Sequence, residues 1–219
     1  QTTILGPIPQ LPGVDDLIVN AAESSLYGAE FTLDYTLDDN WNFFTSVGLL
    51  ETEFDDFPFA VDENGDPQNA ADPRFANLAG NEFPFAPDIT FSFTGKYKHS
   101  SGFYASGTFT FTGRQFTGIP NLTEEDFEQA FIDNGGDAAF GATLTEEVES
   151  RSDLTLRIGY RADKFNIFAA ATNVLDDDQL RSRNFGVVST QTGNVNLAGG
   201  VQGLVFQPRS FRVGIDVSF

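Results

Sequence analysis

Seven stretches of this chain alternate apolar and polar residues, and tight turns within pairs of them alternate with connections of about thirty residues between pairs. Period two sends successive side chains to opposite faces, so each stretch is a strand with one apolar and one polar face. The first runs Tyr27, Ala29, Phe31, Leu33, Tyr35, Leu37, and after Asp38-Asp39-Asn40 the second carries Trp41, Phe43, Thr45, Val47 and Leu49. From Phe85 the pattern returns through Pro87, Ile89, Phe91, Phe93, Gly95 and Tyr97, turns at Ser100-Ser101-Gly102, and continues through Phe103, Ala105, Gly107, Phe109 and Phe111. Leu154, Leu156, Ile158 and Tyr160 lead through Ala162-Asp163-Lys164 into Phe165, Ile167, Ala169 and Ala171. The last stretch is Phe211, Val213, Ile215, Val217, Phe219.

A soluble antiparallel sheet shows water its Lys, Glu and Arg, and rarely spends thirty residues on an unstructured connection. Here the alternate positions are mostly Thr, Ser, Asn and Gly. A large water-filled barrel reverses the arrangement: its apolar face meets lipid, its small polar face lines the interior, one rim has tight turns and the other long loops. Aromatics at strand ends, Tyr27, Tyr35, Trp41, Tyr97, Phe103 and Tyr160, fit interfacial girdles. Seven strands leave unpaired edges, which lipid does not tolerate, so this is part of a larger barrel.

Composition closes off other classes. Lys+Arg 12 against Asp+Glu 32 gives a net charge of −20, which excludes a nucleic-acid partner. Cys is 0, excluding disulfides, thiolate catalysis and Cys-bound zinc. No run of about 18 apolar residues marks a transmembrane helix, a test that strands escape. The acids gather in the first two long connections, about 51–82 and 116–150, with a short helix expected around Glu124–Phe131; that rim is expected to face the exterior.

In the C-terminal third, Leu154-Thr155-Leu156-Arg157-Ile158-Gly159-Tyr160, then Ala170-Ala171-Thr172-Asn173-Val174-Leu175-Asp176, then Pro208-Arg209-Ser210-Phe211-Arg212-Val213-Gly214-Ile215-Asp216-Val217-Ser218-Phe219 follow one another. They resemble the end of a TonB-dependent outer-membrane receptor, with its N-L-[FL]-D element and its P-R strand ending in Phe. Upstream, Tyr27-Gly28-Ala29-Glu30-Phe31 is similar to the family's G-x-E-[LF] strand and Phe83-Pro84-Phe85-Ala86-Pro87 to its P-x-x-P strand entry. The resemblance implies an all-β fold: residues 1–219 are the C-terminal segment, seven or so strands, of a 22-stranded antiparallel transmembrane β-barrel without its plug domain. It further implies a non-enzymatic receptor of the Gram-negative cell outer membrane, active in uptake of a siderophore, vitamin B12, haem or an oligosaccharide. Its partners are then outer-membrane lipid, TonB acting through a missing N-terminal region, and the barrel assembly machinery, which reads a signal including Phe219.

Candidate site residues are few. Arg114, Arg157 and Arg212 fall on polar positions and are candidate interior contacts for an anionic ligand or for plug carboxylates; structural pairing is the ordinary use of such arginines. Asp62, Asn64 and Asp66 are spaced like the start of a calcium loop but lack its later bidentate Glu, so a solvated turn is the ordinary reading. His99, the single His, stands beside a tight turn, and no nucleophile, base and orienting acid occur as a set. No cofactor is expected. Two other readings remain: a small complete outer-membrane barrel or adhesin, needing an eighth strand near Leu17–Asn20, and a soluble, secreted carbohydrate-binding β-sandwich that buries Phe91 and Phe93 against a second sheet.

Overall fold

The computed structural model describes residues 2–5, 16–19, 23–57, 78–118, 121, 123–133, 145–178, 180–185, 201–205 and 207–218. Its strands are β1 (Thr2–Leu5), β2 (Asp16–Val19), β3 (Glu23–Thr36), β4 (Trp41–Asp56), β5 (Ile89–Lys98), β6 (Phe103–Thr112), β7 (Gln115–Phe116), β8 (Glu147–Val148), β9 (Arg151–Arg161), β10 (Phe165–Thr172), β11 (Leu180–Phe185), β12 (Val201–Val205) and β13 (Ser210–Val217). One helix, α1, spans Glu124–Asp133.

The seven alternating stretches form one antiparallel sheet, in the order β13-β10-β9-β6-β5-β4-β3. Every strand pairs with its neighbour in sequence among the seven, so the sheet is a meander with β3 and β13 as its open edges. Strands β5 and β6 have 10 residues each and β9 has 11, matching the roughly 9–11 that a tilted strand needs to cross a bilayer. At the first turn, the Asp38 carboxylate accepts from the backbone N–H of Asn40 and of Trp41, both at 2.8 Å. The Asn40 side chain then donates to Lys98 O at 2.9 Å, tying one tight turn to the next.

Four local expectations need correction or addition. Strand β5 begins at Ile89 and not at Phe85, because Phe85 adopts a left-handed φ of 62° that no strand contains. Strand β4 continues past Leu49 to Asp56. A strand does form next to Leu17–Asn20, but β2 pairs with β1 in a separate two-stranded sheet and adds nothing to the seven. The long connections contain the further pairs β7·β8 and β11·β12. Helix α1 lies where a helix was expected, and Thr123 caps it, exchanging hydrogen bonds with Asp126 in a capping box.

Candidate functional site

Register converts the alternation into two continuous surfaces. On the apolar face, one row crosses the sheet through Trp41, Tyr97, Ala105, Ile158, Ala169 and Val213. Another crosses through Leu33, Thr45, Phe93, Phe109 and Leu154. Nothing described covers them: Val213 is 79% exposed, Phe31 59% and Ile158 54%. The buried hydrophobics among the described residues are Phe54, Phe57, Leu78, Phe116 and Val148. All five lie toward the long-loop end, where Phe54, Phe57 and Leu78 pack with Phe83. Among the described residues the apolar sheet face is therefore uncovered, too extensive for scattered surface exposure and suited to lipid.

Aromatic rings concentrate where this face meets the tight turns. Trp41 and Tyr97 stand 4.7 Å apart between ring centroids, Tyr97 and Phe103 6.2 Å, and Tyr160 and Phe165 6.2 Å. A belt of amphipathic rings at one rim is what a membrane–water interface favours.

The polar face is built of Thr, Ser and Gly ladders, with Thr94 and Thr108 sharing a 3.0 Å hydrogen bond between hydroxyls. Toward the tight turns it carries a cluster. Register sets Ser106 and Ala170 on either side of Arg157, and Arg212 on the far side of Ala170. One position nearer the turn, Phe168 lies between Gly159 and Gly214. The Arg157 guanidinium stacks on Phe168 with Cζ 3.9 Å from the ring centroid, and Arg212 Cζ is 5.8 Å from the same ring. Beside it, Tyr104 donates to Asn166 Oδ1 at 2.9 Å and Asn166 donates to Asp216 at 2.9 Å, while Arg161 stands over the Tyr104 ring.

The glycines make room for these rings. A Cβ on Gly214 would meet Phe168 Cζ at 2.5 Å, inside any real contact distance. Gly214→Ala is accordingly expected to push the ring away from Arg157 and to cost about 1–3 kcal/mol, the usual penalty of overpacking. A lower urea midpoint for the detergent-solubilised protein checks this, and an unchanged midpoint means that the ring swings aside freely.

Of the three arginines singled out by sequence, Arg157 and Arg212 come together here and Arg114 does not. Arg114 lies past the end of β6 and donates to Glu82 at 2.8 Å. That bond, opposed by some burial, raises its pKa above the ordinary arginine value. Both partners are partly exposed, so the pair adds little stability. His99 Nδ1 shares a 2.8 Å hydrogen bond with Ser101 at its turn. Asp62, Asn64, Asp66 and Phe219 lie outside the described residues.

Sequence reasoning missed what the N-V-L-D and P-R elements do physically. Asn173, 1% exposed, donates to Asp177 O and Gln207 O and accepts from Asp177 N–H, at 2.8, 3.0 and 3.0 Å. Arg209 pairs with Asp176 at 2.6 Å. The two elements thus clamp the end of β10 to the start of β13. Asn173 and Asp176 both hold positive φ, at 48° and 59°.

No protein-family model matches the chain, and no curated protein matches it. Solved structures do. The siderophore receptor PiuA of Acinetobacter baumannii aligns over 88% of this chain and 21% of its own, with TM-score 0.56 and 14% identity. The ferric yersiniabactin uptake receptor FyuA of Yersinia pestis aligns over 88% and 23%, with TM-score 0.55 and 12% identity. The chain thus spans about a fifth to a quarter of the length of these proteins. At such identity the likeness is one of fold, and it agrees with the resemblance carried by the strand motifs: this is an all-β, antiparallel barrel-type sheet with the fold of the aligned part of those two receptors.

Proposed function

We propose that this chain is the C-terminal segment of the barrel of a TonB-dependent outer-membrane receptor, which takes up a scarce ligand without chemically altering it. The uncovered apolar face carries the reading, since a sheet whose buried hydrophobic side chains, among the described residues, gather toward the long-loop end needs lipid against the rest. The shared fold and the ordered motifs then favour a transport receptor over other barrels. A siderophore is the ligand class favoured by the likeness to the siderophore receptor PiuA. In this reading β3 and β13 continue into further strands of a closed barrel. The plug domain and the segment that engages TonB belong to the same polypeptide, outside these 219 residues.

Intact mass and N-terminal sequencing of the native protein extracted from its membrane test this directly. A polypeptide several times longer, requiring detergent and carrying a plug domain before the barrel, is expected. A mature chain beginning near Gln1 overturns the receptor assignment. Deleting Phe219 from the full-length protein is expected to lower its assembly in the outer membrane, read as folded, heat-modifiable protein in membrane fractions. Unchanged assembly removes Phe219 from the assembly signal.

A further inference from the structure

Half of the basic residues in this strongly acidic chain sit on one surface. Lys96, Lys98, Arg151, Arg157, Arg161 and Arg212 all lie on the polar parity of their strands. Among them Arg157 and Arg212 have an unusual environment. Both approach a single phenyl ring, on either side of the methyl of Ala170. Among the described residues neither is recorded with a carboxylate partner, and Arg157 Nε is buried without a hydrogen-bond acceptor. The acids on the same strands are engaged elsewhere, Asp216 by Asn166 and Asp153 by Thr155.

We propose that Arg157 and Arg212, converging on Phe168 across Ala170, form a carboxylate-binding site on the polar face. The proposal rests on that face lining the water-filled interior. A guanidinium stacked on a ring uses its face and leaves the donors at its edge free, in the planar fork that fits a carboxylate. Two neighbouring cations without an anion repel each other, and one carboxylate between them removes the repulsion and supplies the missing acceptors. Phe168 holds the first guanidinium in place, and Ala170 leaves the gap open where a longer side chain would fill it. The carboxylate comes either from an acidic side chain of a segment of the full protein folded into the barrel, or from a free carboxylate solute.

Arginine labelling with phenylglyoxal, read residue by residue by mass spectrometry on the full-length protein in detergent, separates these sources. Arg212 is the reporter, because its side chain is exposed on the sheet and its protection requires an occupant. Protection of at least about tenfold relative to the denatured protein, present without any addition and lost in Arg157→Gln, identifies a carboxylate of the polypeptide. Protection that appears only with citrate and disappears in Arg157→Gln identifies a free solute. Labelling of Arg212 that is fast with and without citrate, or protection indifferent to Arg157, overturns the site. Arg157→Lys, which keeps the charge but not the planar fork, again read at Arg212, serves if Arg157→Gln loses its heat-modifiable fold. Failure of the membrane reading shows separately, as a protein that stays in solution without detergent whatever the labelling.

Discussion

Phe93→Arg in the full-length protein is expected to reduce folded material in the outer membrane sharply, with a cost of about 2–4 kcal/mol for a cation near the bilayer midplane. Phe93 sits midway along β5, opposite Thr45 on one side and Phe109 on the other, and its ring is 42% exposed on the apolar face. The cost depends on depth. Arginine at Tyr97, in the aromatic belt four residues closer to the tight turn, reaches the interface and is expected to cost at most about 1 kcal/mol from its position in lipid. Thr94→Arg, on the opposite face, loses the hydroxyl bond to Thr108 and little else. Urea or heat unfolding of the three variants in lipid vesicles gives the comparison. A large penalty at 93 falling away toward 97 is the signature of a bilayer, since a protein core has no reason to grade the penalty by distance from a rim. Equal penalties at 93 and 97 fit a sheet covered by protein, and no penalty at either fits a sheet in water.

How much of this was legible in the sequence follows from how each part is encoded. All seven strands and both faces were readable, because period two is a local pattern and the apolar parity repeats four to six times per strand. The start of β5 was misread because Phe85 continues the parity of Ile89 and Phe91, while its left-handed backbone is set by the loop it leaves, where its N–H donates to Phe116 O. The β7·β8 pair was missed for a different reason: two residues from each side of a long connection carry no period. Parity puts Phe168 on the polar face, but nothing in the sequence gives it a role. What makes it matter is register, which brings Arg157, Arg212 and two glycines from the two flanking strands around one ring. Such a juxtaposition is invisible until the pairing is known.

The Asn173 clamp is the other feature whose worth appears only in three dimensions, and Asn173→Leu is expected to cost about 3–5 kcal/mol. Three hydrogen bonds are lost at once around a side chain that is 1% exposed, and leucine must also adopt the positive φ that asparagine tolerates. The damage should be local in origin. Amide exchange is expected to quicken where Ala171 pairs with Phe211 and Thr172 with Ser210, before it changes at the tight-turn end where Phe165 pairs with Val217. Arg209→Ala is the useful contrast, since it removes the ion pair to Asp176 from the same clamp. Its partners are 43% and 55% exposed, so screening and side-chain entropy leave a loss of about 0.2–1 kcal/mol. If the two variants unfold at the same denaturant concentration, the buried amide contributes no more than the exposed ion pair, and the clamp does not depend on Asn173. If Asn173→Leu alone unzips the outer end of β10 and β13, a single buried side chain fixes where the last strand docks. The N-V-L-D element then has a mechanical role: it sets the register of the strand on which Arg212 is carried to Phe168.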